Sequence, residues 1–243
     1  MEPIEVYALR LDEEAAAQAE GYLAYLSPGR RKAVRGYRSP LMRALTIAAE
    51  LLARALLAAR SGKVPLELEI CRDVRGKPYS PNVAAFFSWS HSGAWVVLSI
   101  GGERNGVDVE GPRRRAAVSA IARRFFRPEE RRALDEAPRS ERHLLFLRYW
   151  TMKESYLKYT GDGLAGGIES VDTAALWRGD GPVAGRNFLL SDGAVIGVCA
   201  PSGHLPDAVR EIPFAALRAE LSKWEKKTPR FYNPPGKRCI SLH

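Results

Sequence analysis

Two carboxylates stand one residue apart in Gly106-Val107-Asp108-Val109-Glu110. On a strand, side chains alternate faces, so Asp108 and Glu110 project together while Val107 and Val109 face the other way. Paired acids backed by valines suit a divalent cation with oxygen ligands. Mg2+ fits best, because it takes one or two carboxylates and leaves coordination for substrate phosphates. The same residues also fit an amphipathic edge strand with solvated acids. A second set lies in Trp150-Thr151-Met152-Lys153-Glu154-Ser155-Tyr156-Leu157-Lys158. On a helix, Trp150, Glu154 and Lys158 line one face. Glu154 there completes a metal site or acts as a base, and Lys158 meets a phosphate. The plainer alternative is a Glu-to-Lys pair steadying the helix by about 0.2–0.5 kcal/mol.

Two smaller groups point to anions. In Trp89-Ser90-His91-Ser92-Gly93 a histidine flanked by hydroxyls can hydrogen-bond a phosphate oxygen, or can simply occupy a turn. In Gly76-Lys77-Pro78 a lysine sits on a stiff turn and can pair with phosphate. No aspartate-histidine-serine order stands out, so a hydrolase triad has no support. Neither GxxxxGK[ST] nor GxGxxG occurs, so nucleotide sites of those kinds are not indicated.

The elements that must hold these residues read as alternating α and β. Residues 4–11 alternate as a strand, and 13–25 read as helix. Ser27-Pro28-Gly29 breaks the chain ahead of a basic cluster, Arg30, Arg31, Lys32, Arg35 and Arg38. The Ala- and Leu-rich stretch 41–60 is a helix ended by Ser61-Gly62. A short strand is expected at 66–71 and a turn at 76–79. The runs 86–89 and 95–100 form a hairpin around Ser90-His91-Ser92-Gly93. A strand at 107–110, helices at 116–125 and 128–135, and a long helix at 139–159 follow. Further strands are expected at 169–176, 186–190 and 194–200. The tail carries a helix near 214–226 and then Pro229, Pro234, Pro235 and Gly236.

Gly93-Ala94-Trp95-Val96-Val97-Leu98 is echoed by Gly193-Ala194-Val195-Ile196-Gly197-Val198, and the two long helices recur at a similar interval. The echo fits two related α/β halves, 1–101 and 102–205, followed by an extension, 206–243, and equally fits the common pattern of a hairpin glycine ahead of apolar residues. The net charge of +9 attracts anions: nucleic acid, a polyphosphate ligand or an acidic protein. It is also what an arginine-rich proteome would give with solvated surface charge. Cys71, Cys199 and Cys239 are far apart and odd in number, which excludes a disulfide framework and zinc spacing. Cys71 and Cys199 read as buried structural thiols. With no apolar run of about 20 residues and no signal-peptide pattern at the start, a cytoplasmic protein is expected.

Each motif is weak alone, but their joint order is distinctive. Gly-Lys-Pro-Tyr, Phe-Ser-Trp-Ser-His-Ser-Gly, Gly-Val-Asp-Val-Glu, Arg124-Phe125-Phe126, Trp-Thr-Met-Lys-Glu-Ser-Tyr-Leu-Lys and Gly161-Asp162-Gly163-Leu164 follow one another. This series resembles the 4′-phosphopantetheinyl transferase superfamily, in particular its longer, surfactin-synthetase-activating type. The resemblance runs from about residue 4 to about 200. It implies an α/β (α+β) fold of two similar subdomains related by a pseudo-twofold, with coenzyme A in the cleft between them. Asp108, Glu110 and Glu154 match the family's metal-binding triad, for Mg2+ or Mn2+. Lys158 matches a lysine near the pyrophosphate. Lys77, Ser90 and His91 match positions that contact coenzyme A phosphates, as Asp108 does through the metal. Arg30 falls where the family places a basic residue near the 3′-phosphate, and Thr46 near another coenzyme A contact. Ala33 departs from the pattern, since relatives often carry a basic residue there.

The implied reaction moves phosphopantetheine to a serine of an apo acyl, peptidyl or polyketide carrier protein. Glu154 is the first choice of base and Glu110 the second, with Lys158 assisting departure of 3′,5′-ADP. Arg123, Arg124 and Phe126 are the expected docking surface for an acidic carrier. A monomer is expected, because a pseudo-dimer supplies both walls of its cleft. Arg113-Arg114-Arg115 motivates a nucleic-acid-binding alternative, opposed by the absence of any nucleic-acid motif. An inactive scaffold of the same family is the other alternative.

Overall fold

The computed structural model describes residues 3–112, 118–163 and 167–227. Arg113-Arg114-Arg115, Leu164 and the proline-rich end lie outside them. Strand β1 (Glu5–Arg10) alternates Val6 and Ala8 on one face with Tyr7 and Leu9 on the other, and it builds the first sheet from the middle. It pairs antiparallel with β5 (Trp95–Gly101), which pairs antiparallel with β4 (Phe86–Ser92). On its other side β1 pairs in parallel with β9 (Val209–Pro213). The order is β4-β5-β1-β9. The second sheet is an antiparallel trio in the order β6-β8-β7, from β6 (Gly106–Glu110), β7 (Val183–Leu189) and β8 (Val195–Pro201).

The two sheets pack face to face. Val6, Ala8, Trp95 and Val97 of the first meet Val107, Val109, Ile196 and Val198 of the second in one buried layer. Each sheet's outer face is covered by a long helix, so the molecule reads helix, sheet, sheet, helix. On the first sheet lies α3 (Pro40–Ser61). Ser39 caps it by accepting from the Met42 N–H at 3.3 Å, Pro40 opens its first turn, and Gly62 closes it at φ 68°. Its apolar stripe buries Leu45, Ile47, Leu51 and Leu52 against Leu9, Val96 and Leu98. Truncating one of these leucines to alanine would cost about 2–5 kcal/mol. On the second sheet lies α6 (Arg142–Thr160), ended by Gly161 at φ 81°. Among the described residues no helix is long and apolar enough to cross a membrane.

The mixed α/β class expected from sequence is the class observed; several elements differ. The expected helix 13–25 is α1 (Glu13–Glu20) followed by a 3-10 turn at Leu23–Tyr25. Pro28 opens a helix, α2 (Pro28–Arg35), so the basic cluster rides on helical backbone up to Arg35. The strand expected at 66–71 is a 3-10 turn, Pro65–Glu67, and only β2 (Cys71–Arg72) is extended; it pairs with β3 (Pro78–Tyr79) across the Gly76 turn. Ser90 and His91 lie within β4, and the hairpin turns at Gly93. In the second half α4 (Val118–Phe125) and α5 (Pro128–Glu136) fall where helices were expected. Residues 169–176 are not a strand. They form a 3-10 turn, Ile168–Ser170, and α7 (Thr173–Arg178), because Asp172 caps a helix by accepting from the Ala175 N–H at 3.0 Å. The tail expected as an extension enters the first half's core. After β9, α8 (Phe214–Lys227) buries Phe214, Leu217, Leu221 and Trp224 beside α3. Cys199 is the buried free thiol, whereas Cys71 is buried and disulfide-bonded, which corrects the reading of it as a thiol.

Candidate active site

The edge strands β4 and β6 run alongside each other where the two sheets meet, and serines join them. Ser88, Ser90 and Ser92 share one face of β4 by the two-residue period. Ser88 Oγ accepts from the Val107 N–H at 3.3 Å, and Ser90 Oγ donates to Asp108 Oδ1 at 2.7 Å. Ser92 Oγ donates to Glu110 Oε2 at 2.7 Å and accepts from the Gly111 N–H at 3.3 Å. Asp108 is only 5% exposed, so the solvated edge-strand alternative fails for it. Val107 and Val109 are buried on the opposite face, as the alternation requires.

Helix α6 brings the other half of the site, and glycines set its distance. Gly106 and Gly197 pair into the second sheet on the face α6 covers. A Cβ at 106 would collide with Ser155 O and Tyr159 N, and one at 197 with the Thr151 carbonyl. A Cβ at Gly185 would meet Met152 Sδ. Backbone therefore packs on backbone, and Glu154 and Lys158 come down beside Asp108. Lys158 Nζ donates to Asp108 Oδ1 at 2.7 Å. Glu154 has its pKa pushed up to about 7, first by burial and then by the charges of Asp108 and Glu110, with Lys158 pulling the other way. Glu154, Lys158, Lys77, Arg72 and Trp89 line a cleft of about 250 Å³ whose walls come from both halves.

Lys77 reaches the cleft in an unexpected posture. Its ammonium donates to Lys158 O, and to Tyr159 O at 3.2 Å, so it caps the carbonyl end of α6. Burial, then the charge of Arg104, pushes its pKa down to about 8. Among the basic residues of α2, Arg30 Nε lies 3.8 Å from Glu50 Oε2. The His91 pKa is lowered by burial first, then by the charges of Lys158 and Arg30, against a smaller opposing pull from Asp108.

Among the described residues four buried side-chain polar atoms have no hydrogen-bond partner, and three of them belong to residues singled out from sequence: Arg30 Nε, Thr46 Oγ1 and Asp108 Oδ2. The fourth is His143 Nδ1. Buried polar groups are nearly always satisfied, so these three orphaned atoms mark places where a ligand's atoms belong. Asp108 Oδ2, with Glu110 and Glu154 close enough to raise the latter's pKa, is an all-oxygen set suited to a hard divalent cation. As they stand, no three His, Cys, Asp or Glu side chains among the described residues are gathered closely enough to hold a metal ion.

Sequence reasoning missed Ser88 and Arg72, and gave no role of their own to Ser92 and Lys153 within the motifs that contain them. Lys153 is the other lysine of the helix motif, and it faces away from the cleft, fully buried. It pairs with Glu130 at 2.9 Å and donates to Val171 O at 2.9 Å and Ile168 O at 3.3 Å. Trp150 packs on Phe125 and Phe146, anchoring α6 rather than lining the cleft. Phe126, expected on a docking surface, is buried against Phe146 and Tyr149, while Arg123 and Arg124 are exposed.

Residues 104–198, which carry both acidic motifs and Lys158, match the model of the 4′-phosphopantetheinyl transferase superfamily. The chain is 23% identical over 225 residues to the 4′-phosphopantetheinyl transferase Sfp of Bacillus subtilis (strain 168), covering 88% of this chain and 100% of that protein. It is 30% identical over 173 residues to the 4′-phosphopantetheinyl transferase psf-1 of Bacillus pumilus, covering 69% of this chain and 73% of the relative. To the 4′-phosphopantetheinyl transferase HetI of Nostoc sp. it is 34% identical over 126 residues, about half of each chain. The psf-1 match spans most of the relative at that identity, and it joins a family match lying over the acidic strand and helix of the cleft: the chain is an enzyme of the 4′-phosphopantetheinyl transferase superfamily.

Proposed function

We propose that this enzyme transfers the 4′-phosphopantetheine of coenzyme A to a serine hydroxyl of an apo acyl, peptidyl or polyketide carrier protein and releases 3′,5′-ADP. The observation that carries the reading is the set of unpartnered buried atoms at Arg30, Thr46 and Asp108. Coenzyme A has two separated anionic groups, a pyrophosphate and a 3′-phosphate. The chain offers two cationic groups for them, Lys158 beside Asp108 and Arg30 beside Glu50, and both act on His91. The halves 1–101 and 102–205 are then the two walls of a substrate site within one chain, and a cytoplasmic monomer that binds no nucleic acid is the matching assignment.

In the reaction, a bond forms between the carrier serine oxygen and the phosphorus that bears pantetheine. The bond from that phosphorus to the bridging oxygen breaks, and its electron pair leaves with 3′,5′-ADP. Glu154 takes the serine proton; in the metal-free cleft burial and the neighbouring acids hold its pKa up at about 7. Glu110, tied to Ser92, is the second candidate for that proton. Lys158 stays beside Asp108 and presents positive charge to the departing oxygen. Ser90 holds Asp108 in place, and Lys77, His91, Arg30 and Thr46 bind the remaining phosphate oxygens. Lys77 does so only by giving up a carbonyl of α6. Asp108, Glu110 and Glu154 would hold a Mg2+ or Mn2+ ion, whose charge would offset the charge building on the pyrophosphate oxygens.

The test is a mass spectrum of a purified apo carrier after incubation with the enzyme, coenzyme A and Mg2+, with an EDTA control. A gain of one phosphopantetheine that disappears with EDTA is expected. No gain across acyl, peptidyl and polyketide carriers would refute the reading.

A further inference from the structure

Among the described residues, His143 Nδ1 is the orphaned buried atom that the proposed function leaves without a use. The ring is held through its other nitrogen: Nε2 lies 2.7 Å from Pro112 O. A carbonyl only accepts, so Nε2 carries the hydrogen and donates it. An apolar side chain would fill this place at the start of α6 without stranding a ring nitrogen. Packing therefore does not account for the imidazole, and its bond to Pro112 does.

Pro112 follows Gly111 beyond Glu110, just where the second sheet lets go of β6. The ladder with β8 ends at the Glu110–Val195 pair, and Pro112 has no N–H with which to extend it. Side chains take over from there. Ser92 Oγ donates to Glu110 Oε2 and accepts from the Gly111 N–H at 3.3 Å. His143 then takes the carbonyl of the following residue. The turn between β7 and β8 backs the Pro112 ring, since a Cβ on Gly193 would stand 3.7 Å from Pro112 Cβ.

Helix α6 runs antiparallel to β6, and His143 completes their contact. A Cβ at Gly106 would meet Ser155 and Tyr159, Asp108 accepts from Lys158 at 2.7 Å, and Pro112 accepts from His143 in the first turn of the helix. His143 and Glu154 stand about three turns apart on the same face of α6. Glu110 thus lies on a segment clamped to one helix at both ends, through Asp108 and through Pro112. Without the second clamp the end of β6 is free to swing, and the last residue of the ladder swings with it.

We infer that His143 is a positioning residue for the cation site: by holding Pro112 O it fixes the end of β6, and with it the Glu110 carboxylate as a cation ligand beside Asp108. This rests on the proposed use of a divalent cation by Asp108, Glu110 and Glu154. His143 acts through the backbone and touches neither the cation nor the substrate.

Mn2+ binding to the full chain, with coenzyme A bound and no carrier present, tests it, read as loss of the free ion's electron paramagnetic resonance signal. Asparagine and glutamine carry the same amide at different reach. Glutamine places its N–H near the position of Nε2 and meets Pro112 O, whereas asparagine places it near Nδ1 and does not. His143→Asn should weaken Mn2+ binding by about tenfold, the lower end of what losing a group behind a metal ligand costs, and His143→Gln should stay within about twofold of wild type. Coenzyme A binding in EDTA, measured by calorimetry, should change by less than about twofold in both, which a general loosening of the cleft would not allow. A melting curve of each variant checks that the fold is retained. Mn2+ binding by His143→Asn at wild-type strength, an equal loss in His143→Gln, or a matching loss of coenzyme A binding in EDTA overturns the role of His143 and leaves the cation site standing. A wild type that binds no Mn2+ overturns the cation site and this inference together.

Discussion

Glu154→Gln should make the metal-free enzyme more stable while removing its activity. Burial first, then Asp108 and Glu110, raise the Glu154 pKa from 4.5 to about 7. Between those values the folded state holds a proton that the unfolded state has released. Stability therefore falls as pH rises through that window and stays low above it. A displacement of this size corresponds to about 3 kcal/mol. Glutamine has nearly the same shape and no charge, so it escapes the penalty. In EDTA, urea unfolding at pH 5 should find the two proteins within about 1 kcal/mol. At pH 8 the variant should be the more stable by roughly 2–3 kcal/mol, a large part of a typical domain's stability. Millimolar Mg2+ should then raise wild-type stability at pH 8 and leave the variant nearly unmoved, since a ligand stabilises only what binds it. A variant no more stable than wild type at pH 8 in EDTA would show that Glu154 is not an unfavourably buried carboxylate, and the base assignment would lose its physical ground.

Two further perturbations probe how α6 is held. Lys153→Met should cost about 3–5 kcal/mol by leaving Glu130 charged and buried without its partner, measurable as a lower urea midpoint, and Glu130→Leu on that background should recover much of the loss; a Lys153→Met protein as stable as wild type would exclude the pair as the anchor of α6. Gly106→Ala should destabilise by at least about 3 kcal/mol or give insoluble protein, because its Cβ meets backbone rather than a side chain that can move. A soluble Gly106→Ala enzyme with an unchanged melting point would mean that α6 does not lie directly on β6.

What was legible in the sequence was local. The alternation in Gly106–Glu110 put the acids on one face and the valines on the other, as observed, because one buried face fixes a strand's register. Helix α3 was legible from composition and its closing glycine. Hidden features depend on distant partners. Nothing near Val209 marks it as the parallel neighbour of Val6, some two hundred residues away. The strand expected at 169–176 came from its apolar content, and the Asp172 cap overrode it. Two misses had usable signals. Phe146, Tyr149, Lys153 and Leu157 fall on one helical face, so Lys153 was already placed among apolar side chains and needed a buried acid. Ser88, Ser90 and Ser92 repeat every second residue, which places three hydroxyls on one edge of β4, facing whatever strand lies beside it. The orphaned atoms at Arg30 and Thr46 carry no sequence signal, because only the packed structure shows that nothing satisfies them.

The local rules that this chain breaks are concentrated around the cleft, and the compensation lies one layer behind it. Glycine is poorly suited to strand interiors, yet Gly106 and Gly197 are what let α6 reach the second sheet. A carboxylate 5% exposed beside two more acids is unfavourable, yet Asp108 is held by Ser90 and Lys158 with one oxygen left unsatisfied. A buried carboxylate shared between guanidiniums is unfavourable, yet Glu50 serves both Arg54 and Arg30 and leaves Arg30 Nε without a hydrogen bond. None of these arrangements would persist on a mobile scaffold, since each relaxes by letting α6 or α2 move away. What prevents that movement is the buried valine layer between the sheets on one side and the Lys153–Glu130 pair on the other. The site is therefore strained toward anions and a cation by a frame that gains nothing from them directly. Ligand binding should stabilise this protein more than its contact area alone implies, because the ligand also removes penalties that the empty cleft retains.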